Sequence, residues 1–323
     1  MLAGQPGIAG DLDGTGPGAR LDLPAGLAAD PAALYFADSA NDVLRRYSFD
    51  AGTVVTFAGT PGVAGASDGT GLQAAFGGPE GVALIDGGVL FVADTANDAI
   101  RRVDLATAAV TTFAGSLGFP GSTDGVGGAA RFRRPQGLAF DGRGALWVAD
   151  TGNDTVRRID LATATVTTFA GAPGDAGSAD GAAARFDAPA GIAADGAHGI
   201  VWVADTSNGT VRAIDDAGVV ATLAGAAGNP GWADGVGTAA KLSGPTGLYF
   251  DGAGTLYVAD TGNSVVRVID AATGAVATVA GIPSQAGVTI GPLPAGLDAP
   301  LDLVLGAAGQ LFVTDSDAIL EIH

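Results

Sequence analysis

A segment typified by Leu146–Arg158 recurs six times along the 323-residue chain and constrains its fold more than any other feature. The Asp that ends the apolar part of each copy recurs at separations of 56, 56, 55, 55 and 55 residues. These six residues are Asp38, Asp94, Asp150, Asp205, Asp260 and Asp315. Repeats of this length form arrays in which each unit buries its faces against its neighbours. We therefore expect residues 1–323 to form a single repeat domain.

Each copy predicts four short antiparallel strands, A to D. In the third copy Pro135 begins strand A, because proline at a strand's first residue costs no ladder hydrogen bond. An Asp-Gly turn leads to strand B at 145–149, and strands C and D follow at 155–160 and 165–170. Four strands joined by short turns make one blade, so the sequence predicts an all-β, six-bladed β-propeller.

The chain termini are predicted to share the last blade. We expect blades at about 24–59, 79–115, 135–171, 189–225, 245–281 and 300–323. The last copy lacks strand D, whereas residues 1–4 match the end of strand D at 113–115. We therefore expect residues 1–4 to form an N-terminal strand that closes the last blade.

Three motifs recur over essentially the whole chain: Pro-x-Gly-[Leu/Val]-Ala, Leu-aromatic-Val-Ala-Asp-Thr-x-Asn and Val-Arg-x-[Ile/Val]-Asp. Together they resemble the NHL repeat, of the long bacterial type. The resemblance implies a β-propeller. Similar propellers serve as protein-interaction modules, as RNA-binding domains and, in related families, as lyases or lactonases. This chain departs from the family by lacking His after the Asn, and its sixth copy lacks the Asn-to-Arg portion.

Charge and composition exclude several classes of partner. The formal charge of −19 disfavours nucleic acid, because affinity for phosphate backbones depends on Lys and Arg. No stretch approaches the ~18–20 apolar residues that a membrane span needs, so we expect no membrane insertion. The Lys-poor composition is typical of high-GC bacteria. We expect a secreted or cell-surface bacterial protein whose signal lies outside this sequence, with a cytosolic protein as the alternative.

The repeated polar residues favour a structural role. Arg45, Arg101, Arg157, Arg212 and Arg267 each follow a repeat Asp by seven residues, which predicts internal ion pairs. Arg20, Arg131 and Lys241 follow the Asp of their Asp-Gly loops by seven residues, and Arg185 follows its loop Asp by five. These four cations predict a second set of pairs. The repeat Asn residues are predicted to be left-handed or side-chain-capped turn positions. We expect no cofactor, with Ca²⁺ in the Asp-Gly loops as the alternative.

Catalytic residues are scarce. There is no Cys, and the two His residues, His198 and His323, cannot supply a three-His metal site. His198 lies in a predicted A–B hairpin. Glu80, beside Gln136 of the next copy, is the one position where a lactonase-like metal site could start.

The segments between strand D and the next strand A break the repeat and are the best candidates for binding. Strands alternate in direction, so these D–A loops emerge on the same face as the B–C turns. One loop carries Arg131, Arg133 and Arg134, and at the positions of the last two other copies have Gly77-Gly78, Asp187-Ala188 or Ser243-Gly244. Phe119 and Trp232, in corresponding loops, are interpreted as loop anchors, with exposed contacts as the alternative.

These observations favour a non-enzymatic, monomeric binding or scaffold domain, as a whole protein or as part of a larger one. Its loop-built face is expected to bind a protein, peptide or glycan. The alternative is a metal-dependent hydrolase or lactonase with its site at the mouth of the central channel.

Overall fold

The computed structural model describes residues 1–85, 88–289, 291, 293 and 295–322. The fold is a six-bladed, all-β propeller built from antiparallel sheets. The part of the chain described contains no α-helix, only short 3₁₀ turns. These turns span Gly16–Gly18, Ser39–Asn41, Gly71–Gln73, Thr95–Asn97, Gly127–Ala129, Thr151–Asn153, Thr206–Asn208, Gly237–Ala239 and Thr261–Asn263. The prediction of fold class is confirmed.

The blades are numbered in chain order, and the strands of each blade are given from A to D. Blades 1 to 3 comprise Pro24–Ala29, Ala33–Asp38, Val43–Ser48 and Thr53–Ala58; Pro79–Ile85, Val89–Asp94, Ala99–Asp104 and Ala109–Gly115; and Pro135–Phe140, Ala145–Asp150, Thr155–Asp160 and Thr165–Gly171. Blades 4 to 6 comprise Pro189–Asp195, Ile200–Asp205, Thr210–Ile214 and Val220–Gly225; Pro245–Phe250, Thr255–Asp260, Val265–Asp270 and Ala275–Gly281; and Pro300–Leu305, Leu311–Asp315, Ala318–Ile322 and Ala3–Gly4.

The N-terminal strand closes blade 6, as predicted. Ala3 pairs with Ile319 and Gly4 with Ala318 in antiparallel register. The Leu2 N–H also donates to the Ile319 carbonyl oxygen, at 2.9 Å. The two ends of the chain are thus joined by backbone hydrogen bonds within one sheet.

Four blades carry a fifth strand that the sequence analysis did not predict. It is two residues long, comes from the preceding D–A loop and pairs with the outer edge of strand D. These strands are Gly14–Thr15, Gly69–Thr70, Gly125–Val126 and Gly235–Val236. The added strand covers part of the edge that would otherwise expose unpaired backbone groups.

The chain divides into two compact units, each with its own core. The first comprises Met1–Leu138 and the segment from Val304 onward, and the second comprises Ala139–Leu303. In the first unit Leu90 and Val92 of strand B pack with Val103 and Val110. In the second, the corresponding strand-B residues of blade 4 pack in the same way. Strand B reads as a continuous apolar run because both its faces are covered.

Each of five strand-C arginines is fully buried and paired with the Asp that ends strand B, which confirms the first set of predicted ion pairs. The N···O distances are 2.9 Å for Arg45–Asp38, 2.6 Å for Arg101–Asp94, 2.7 Å for Arg157–Asp150, 2.7 Å for Arg212–Asp205 and 2.9 Å for Arg267–Asp260. Burial raises the pKa of Asp38 to about 6, while Arg45 and hydrogen bonds to its carboxylate oppose that rise. The contact with Arg45 therefore favours the ionised form of Asp38 against the effect of burial.

A second carboxylate, from the D–A loop, completes this network in blade 2. Arg101 lies 2.8 Å from Asp68, whose carboxylate also accepts a hydrogen bond from the Thr112 hydroxyl, at 2.9 Å. Loop carboxylates reach the strand-C arginine in three further blades, through the pairs Asp13–Arg45, Asp180–Arg212 and Asp234–Arg267. The network therefore ties each of these loops to its blade.

The second set of predicted pairs is wrong where the structure describes the partners. Arg20 donates to backbone carbonyls, Arg185 pairs with Asp175, and Lys241 donates to the Asn229 side chain. The loop carboxylates instead reach strand C, because a fully buried guanidinium needs charged acceptors more than an exposed one does.

Replacing Arg101 with Leu is expected to lower the free energy of unfolding by about 3–5 kcal/mol, because Asp94 would be left as a buried carboxylate without its cation. Urea denaturation followed by circular dichroism measures this loss. Arg102→Leu is the control, since Arg102 neighbours Arg101 on strand C but is only half-buried. Equal losses in the two variants would contradict a role for the buried pair.

Candidate ligand-binding surface

The B–C turn of blade 2 organises the candidate surface. It comprises the 3₁₀ turn Thr95–Asn97 and Asp98, which adopts the left-handed conformation at φ 57°. The Asn97 side-chain amide donates to Asp94, at 2.9 Å, and to the Gly65 carbonyl oxygen, at 2.7 Å. The side-chain capping predicted for the repeat Asn is confirmed, whereas the left-handed residue is the one that follows it.

This turn holds the loop at 116–134 at both of its ends. The Gly118 N–H donates to the Asn97 carbonyl oxygen, at 2.9 Å, and the Arg134 N–H donates to the Asp98 carboxylate, at 2.8 Å. The Thr95 hydroxyl donates to the Pro135 carbonyl oxygen, at 2.7 Å. The D–A loop and the B–C turn therefore lie on one face, as predicted.

Hydrogen bonds within the 116–134 loop stabilise its conformation. The Gly121 N–H donates to the Phe132 carbonyl oxygen, at 2.9 Å. The Arg131 guanidinium donates to the carbonyl oxygens of Gly128 and Ala130, both at 2.7 Å. Arg131 thus contributes to the conformation of the loop from which Arg133 and Arg134 project.

The interpretation of Phe119 and Trp232 as loop anchors is wrong. Their exposed fractions are 67% and 55%. The anchor of the 116–134 loop is Phe132, which is fully buried and lies against Gly115. The apolar residues at the same repeat position in the other D–A loops are also buried; they are Leu21, Phe76, Phe186, Leu242 and Leu297.

Arg133 and Arg134 are both exposed on this face. Arg134 has a positive φ of 47°, at a position where Gly78 and Gly244 stand in other copies. A side chain in this left-handed region costs about 1–2 kcal/mol. Such strain is often found at functional sites. The backbone at Arg134 is held by its hydrogen bond to Asp98.

Glu80 and Gln136 occupy equivalent positions on neighbouring A strands. An ideal Cβ placed on Gly81 would lie 2.1 Å from the Gln136 carbonyl oxygen, so the two backbones are in close contact there. Burial raises the pKa of Glu80 to about 7, and the positive charge of Arg134 partly opposes that rise. We call Glu80, Phe119, Arg133, Arg134 and Gln136 the Arg134 surface. All five belong to the first compact unit.

The first unit has two further exposed apolar residues in its D–A loops, and the sequence analysis did not identify them. Ile8 and Val63 end turns equivalent to the one that ends at Phe119, in each of which the last N–H bonds back three residues. Their exposed fractions are 44% and 53%. Aligning the turns on the Gly that precedes each of these residues would have identified the position.

The remaining candidates lie elsewhere. Trp232 belongs to the second unit. His198 lies in its predicted hairpin, where its Nδ1 is 2.6 Å from the Asp195 carboxylate and its side chain is exposed. His323 lies outside the described residues. Among those described, no group of three or more His, Cys, Asp or Glu side chains is arranged to hold a metal. Ca²⁺ binding in the loops stays a prediction.

Comparison with known proteins agrees with this architecture. The profile of the NHL repeat matches residues 132–159. The chain is 32% identical over 290 residues to NHL repeat-containing protein 2 of Bos taurus, covering 78% of this chain and 39% of that protein. The chain is therefore an NHL-repeat β-propeller, and it spans about two fifths of the length of this relative.

Two solved structures share the fold. An auxiliary nutrient binding protein from Bacteroides thetaiotaomicron aligns with a TM-score of 0.73 and 14% identity, covering 98% of this chain and 73% of that one. A gluconolactonase from Xanthomonas campestris aligns with a TM-score of 0.63 and 16% identity, covering 93% and 85%. At these identities the likeness concerns the fold. No helix in the described ranges is long and apolar enough to cross a membrane.

Glu80→Gln is expected to stabilise the protein above neutral pH but not in acid. The raised pKa of Glu80 means that its contribution to stability is fully present below about pH 4.5 and is lost as pH rises through about 7. The neutral amide avoids that loss, so the free energy of unfolding is expected to rise by up to about 3 kcal/mol at pH 8.5.

Urea denaturation of both proteins at pH 4.5 and 8.5 measures the difference. Asp50→Asn, at an exposed hairpin position, corrects for the removal of one negative charge. A gain from Glu80→Gln that matches this control at both pH values would contradict the burial of an ionisable Glu80.

Proposed function

We propose that this propeller is a non-enzymatic binding domain that presents the Arg134 surface to a protein, peptide or glycan partner. The observation that carries the proposal is the exposure of Phe119 and Arg134 on a loop that is fixed at both ends. Exposed aromatic and Arg side chains are the residue types that most often dominate binding energy. A fixed loop loses little conformational entropy when a partner binds.

The repeat architecture supports this reading. Loops held by a rigid scaffold carry binding residues in many folds. Here the Asp68 carboxylate connects a D–A loop to the buried Arg101, and Phe132 anchors the next loop. Phe119, Arg133 and Arg134 depart from the repeat while the residues beneath them keep to it. Specificity in a repeat scaffold resides in such departures.

Arg134→Gly tests the proposal without unfolding the protein. Glycine tolerates the positive φ of 47°, so the free energy of unfolding should stay within about 1 kcal/mol of the wild-type value. We expect ligands selected from a random peptide phage library and a glycan array to bind this variant at least about tenfold more weakly, because an exposed Arg is lost.

Ala188→Gly is the matched control, since Ala188 has φ 50° at the same repeat position of blade 4. It relieves the same backbone strain without removing a charge, and ligands should bind it as they bind the wild type. The Arg134 surface would be contradicted if the selected ligands bound Arg134→Gly as tightly as the wild type. It would also be contradicted if no peptide or glycan bound the wild-type protein.

The alternative function is a metal-dependent hydrolase or lactonase that uses Glu80. It is favoured by the partly buried carboxyl of Glu80, whose pKa of about 7 suits proton transfer near neutral pH. The gluconolactonase shares the fold, and its activity supports this alternative by analogy alone.

Hydrolysis of γ- and δ-lactones, with Ca²⁺, Mn²⁺ or Zn²⁺ added, tests the alternative. If it holds, Glu80→Gln should reduce kcat/KM at least about a hundredfold, because a general acid or base contributes about 10²–10⁴-fold. Arg133→Ser is the control, because it changes the same surface and leaves the carboxyl in place. Absence of turnover with every metal would leave the binding function.

A further inference from the structure

The six D–A loops contain one turn position at which the two compact units differ in chemistry. In each loop the N–H of this residue donates to the carbonyl oxygen three residues earlier, at 2.9–3.0 Å, so the position is structurally the same throughout. In the first unit it is occupied by Ile8, Val63 and Phe119. In the second it is occupied by Asp175, Asn229 and Gln285.

Comparison of the same turn in the two units shows whether the turn itself requires an apolar residue. The turn forms equally well with Asp, Asn or Gln, so its geometry does not require an apolar side chain. None of the three apolar side chains is buried, as their exposed fractions are 44%, 53% and 67%. An apolar side chain that neither the turn nor the core requires is available for contact with a partner.

Positive charge just before strand A also differs between the copies of the repeat. The two residues before the Pro that opens strand A are Arg133 and Arg134 in blade 3, and both are exposed. The corresponding pairs contain no cation; they are Asp22-Leu23, Gly77-Gly78, Asp187-Ala188, Ser243-Gly244 and Asp298-Ala299. In a chain of net charge −19, the exposed guanidinium of Arg134 gives the first unit a cationic group at this position.

The loop backbone beside Phe119 and the backbone of Arg134 are held by the same turn. The residue before Phe119 bonds to Asn97, and Arg134 bonds to Asp98. An apolar contact and a cationic contact are therefore offered together by one fixed loop. A ligand that satisfies both must combine negative charge with apolar groups.

We propose that the first unit binds an acidic peptide segment that carries large apolar side chains. Phe119 and Val63 contact its apolar residues, and Arg134 binds its carboxylates. This inference rests on the proposed binding function and specifies the partner's chemistry. A polyanion such as nucleic acid fits less well, because its extended charge is repelled by the rest of this acidic chain.

Fluorescence anisotropy with three labelled peptides tests the inference. The probe is Gly-Asp-Asp-Phe-Leu-Asp-Asp-Gly; in one comparison peptide Lys replaces every Asp, and in the other Ser replaces Phe and Leu. We expect the probe to bind at least about tenfold more tightly than either, and to weaken severalfold between 0.05 and 0.5 M NaCl as charges are screened.

Variants locate the site. Phe119→Ser should weaken probe binding about tenfold, and Val63→Ser and Arg134→Gly about three- to tenfold each, since exposed anchors and charges contribute unequally. Val236→Ser is the control, because Val236 is an equally exposed apolar residue, at 60%, in the second unit. It should leave binding unchanged.

Other results separate this inference from the proposed function. Tighter binding of the Lys peptide or of single-stranded oligothymidine, or equal binding by Phe119→Ser, would overturn it. If the probe peptide does not bind but ligands selected from the phage library still require Arg134, the binding function is supported and the acidic-peptide inference is rejected. If neither the probe nor any selected ligand binds, both proposals are rejected.

Discussion

The buried arginine of strand C is the interaction on which the rest of this propeller depends. In blade 2 it lies between two carboxylates, one that ends strand B and one from the preceding D–A loop. A desolvated guanidinium is tolerated only when its charge and donors are matched. Placing it at the junction of strand, turn and loop makes the position of each depend on the others.

This coupling explains how a glycine-rich face can act as a defined surface. Fifty-four glycines would favour mobile loops, yet the loop at 116–134 is bonded to a B–C turn at both ends and anchored by Phe132. The turn is itself held by the Asn97 amide and the carboxylate of Asp94. The surface residues therefore project from an ordered base, which favours selective binding.

The chemistry of the Arg134 surface arises from departures superimposed on a strict repeat. Arg134 stands in a left-handed position that glycine occupies in two other copies, and Phe119 stands where the loops of the second unit carry Asp, Asn or Gln. Glu80 is a carboxyl near Arg134, and its burial raises its pKa to about 7. Because the underlying network is the same in neighbouring blades, such side chains can vary without disturbing the fold.

Much of the fold could be predicted from the sequence because its signals are local or periodic. The strands of blade 3 were predicted to within one residue, and the closure by residues 1–4 followed from matching the ends of the chain. The pairing of Arg20 and Lys241 failed because a seven-residue offset recurs for two sets of cations. Sequence spacing does not report which of them is buried.

The sequence by itself determined the number of blades, the order of their strands and the identity of the residues that break the repeat. Periodicity and turn chemistry carry that information along the chain. Only the tertiary structure decided that Phe132 is the anchor and Phe119 is exposed, and that the loop carboxylates belong to strand C. Burial and charge pairing depend on which distant segments enclose a side chain, and that enclosure exists only once the blades have packed.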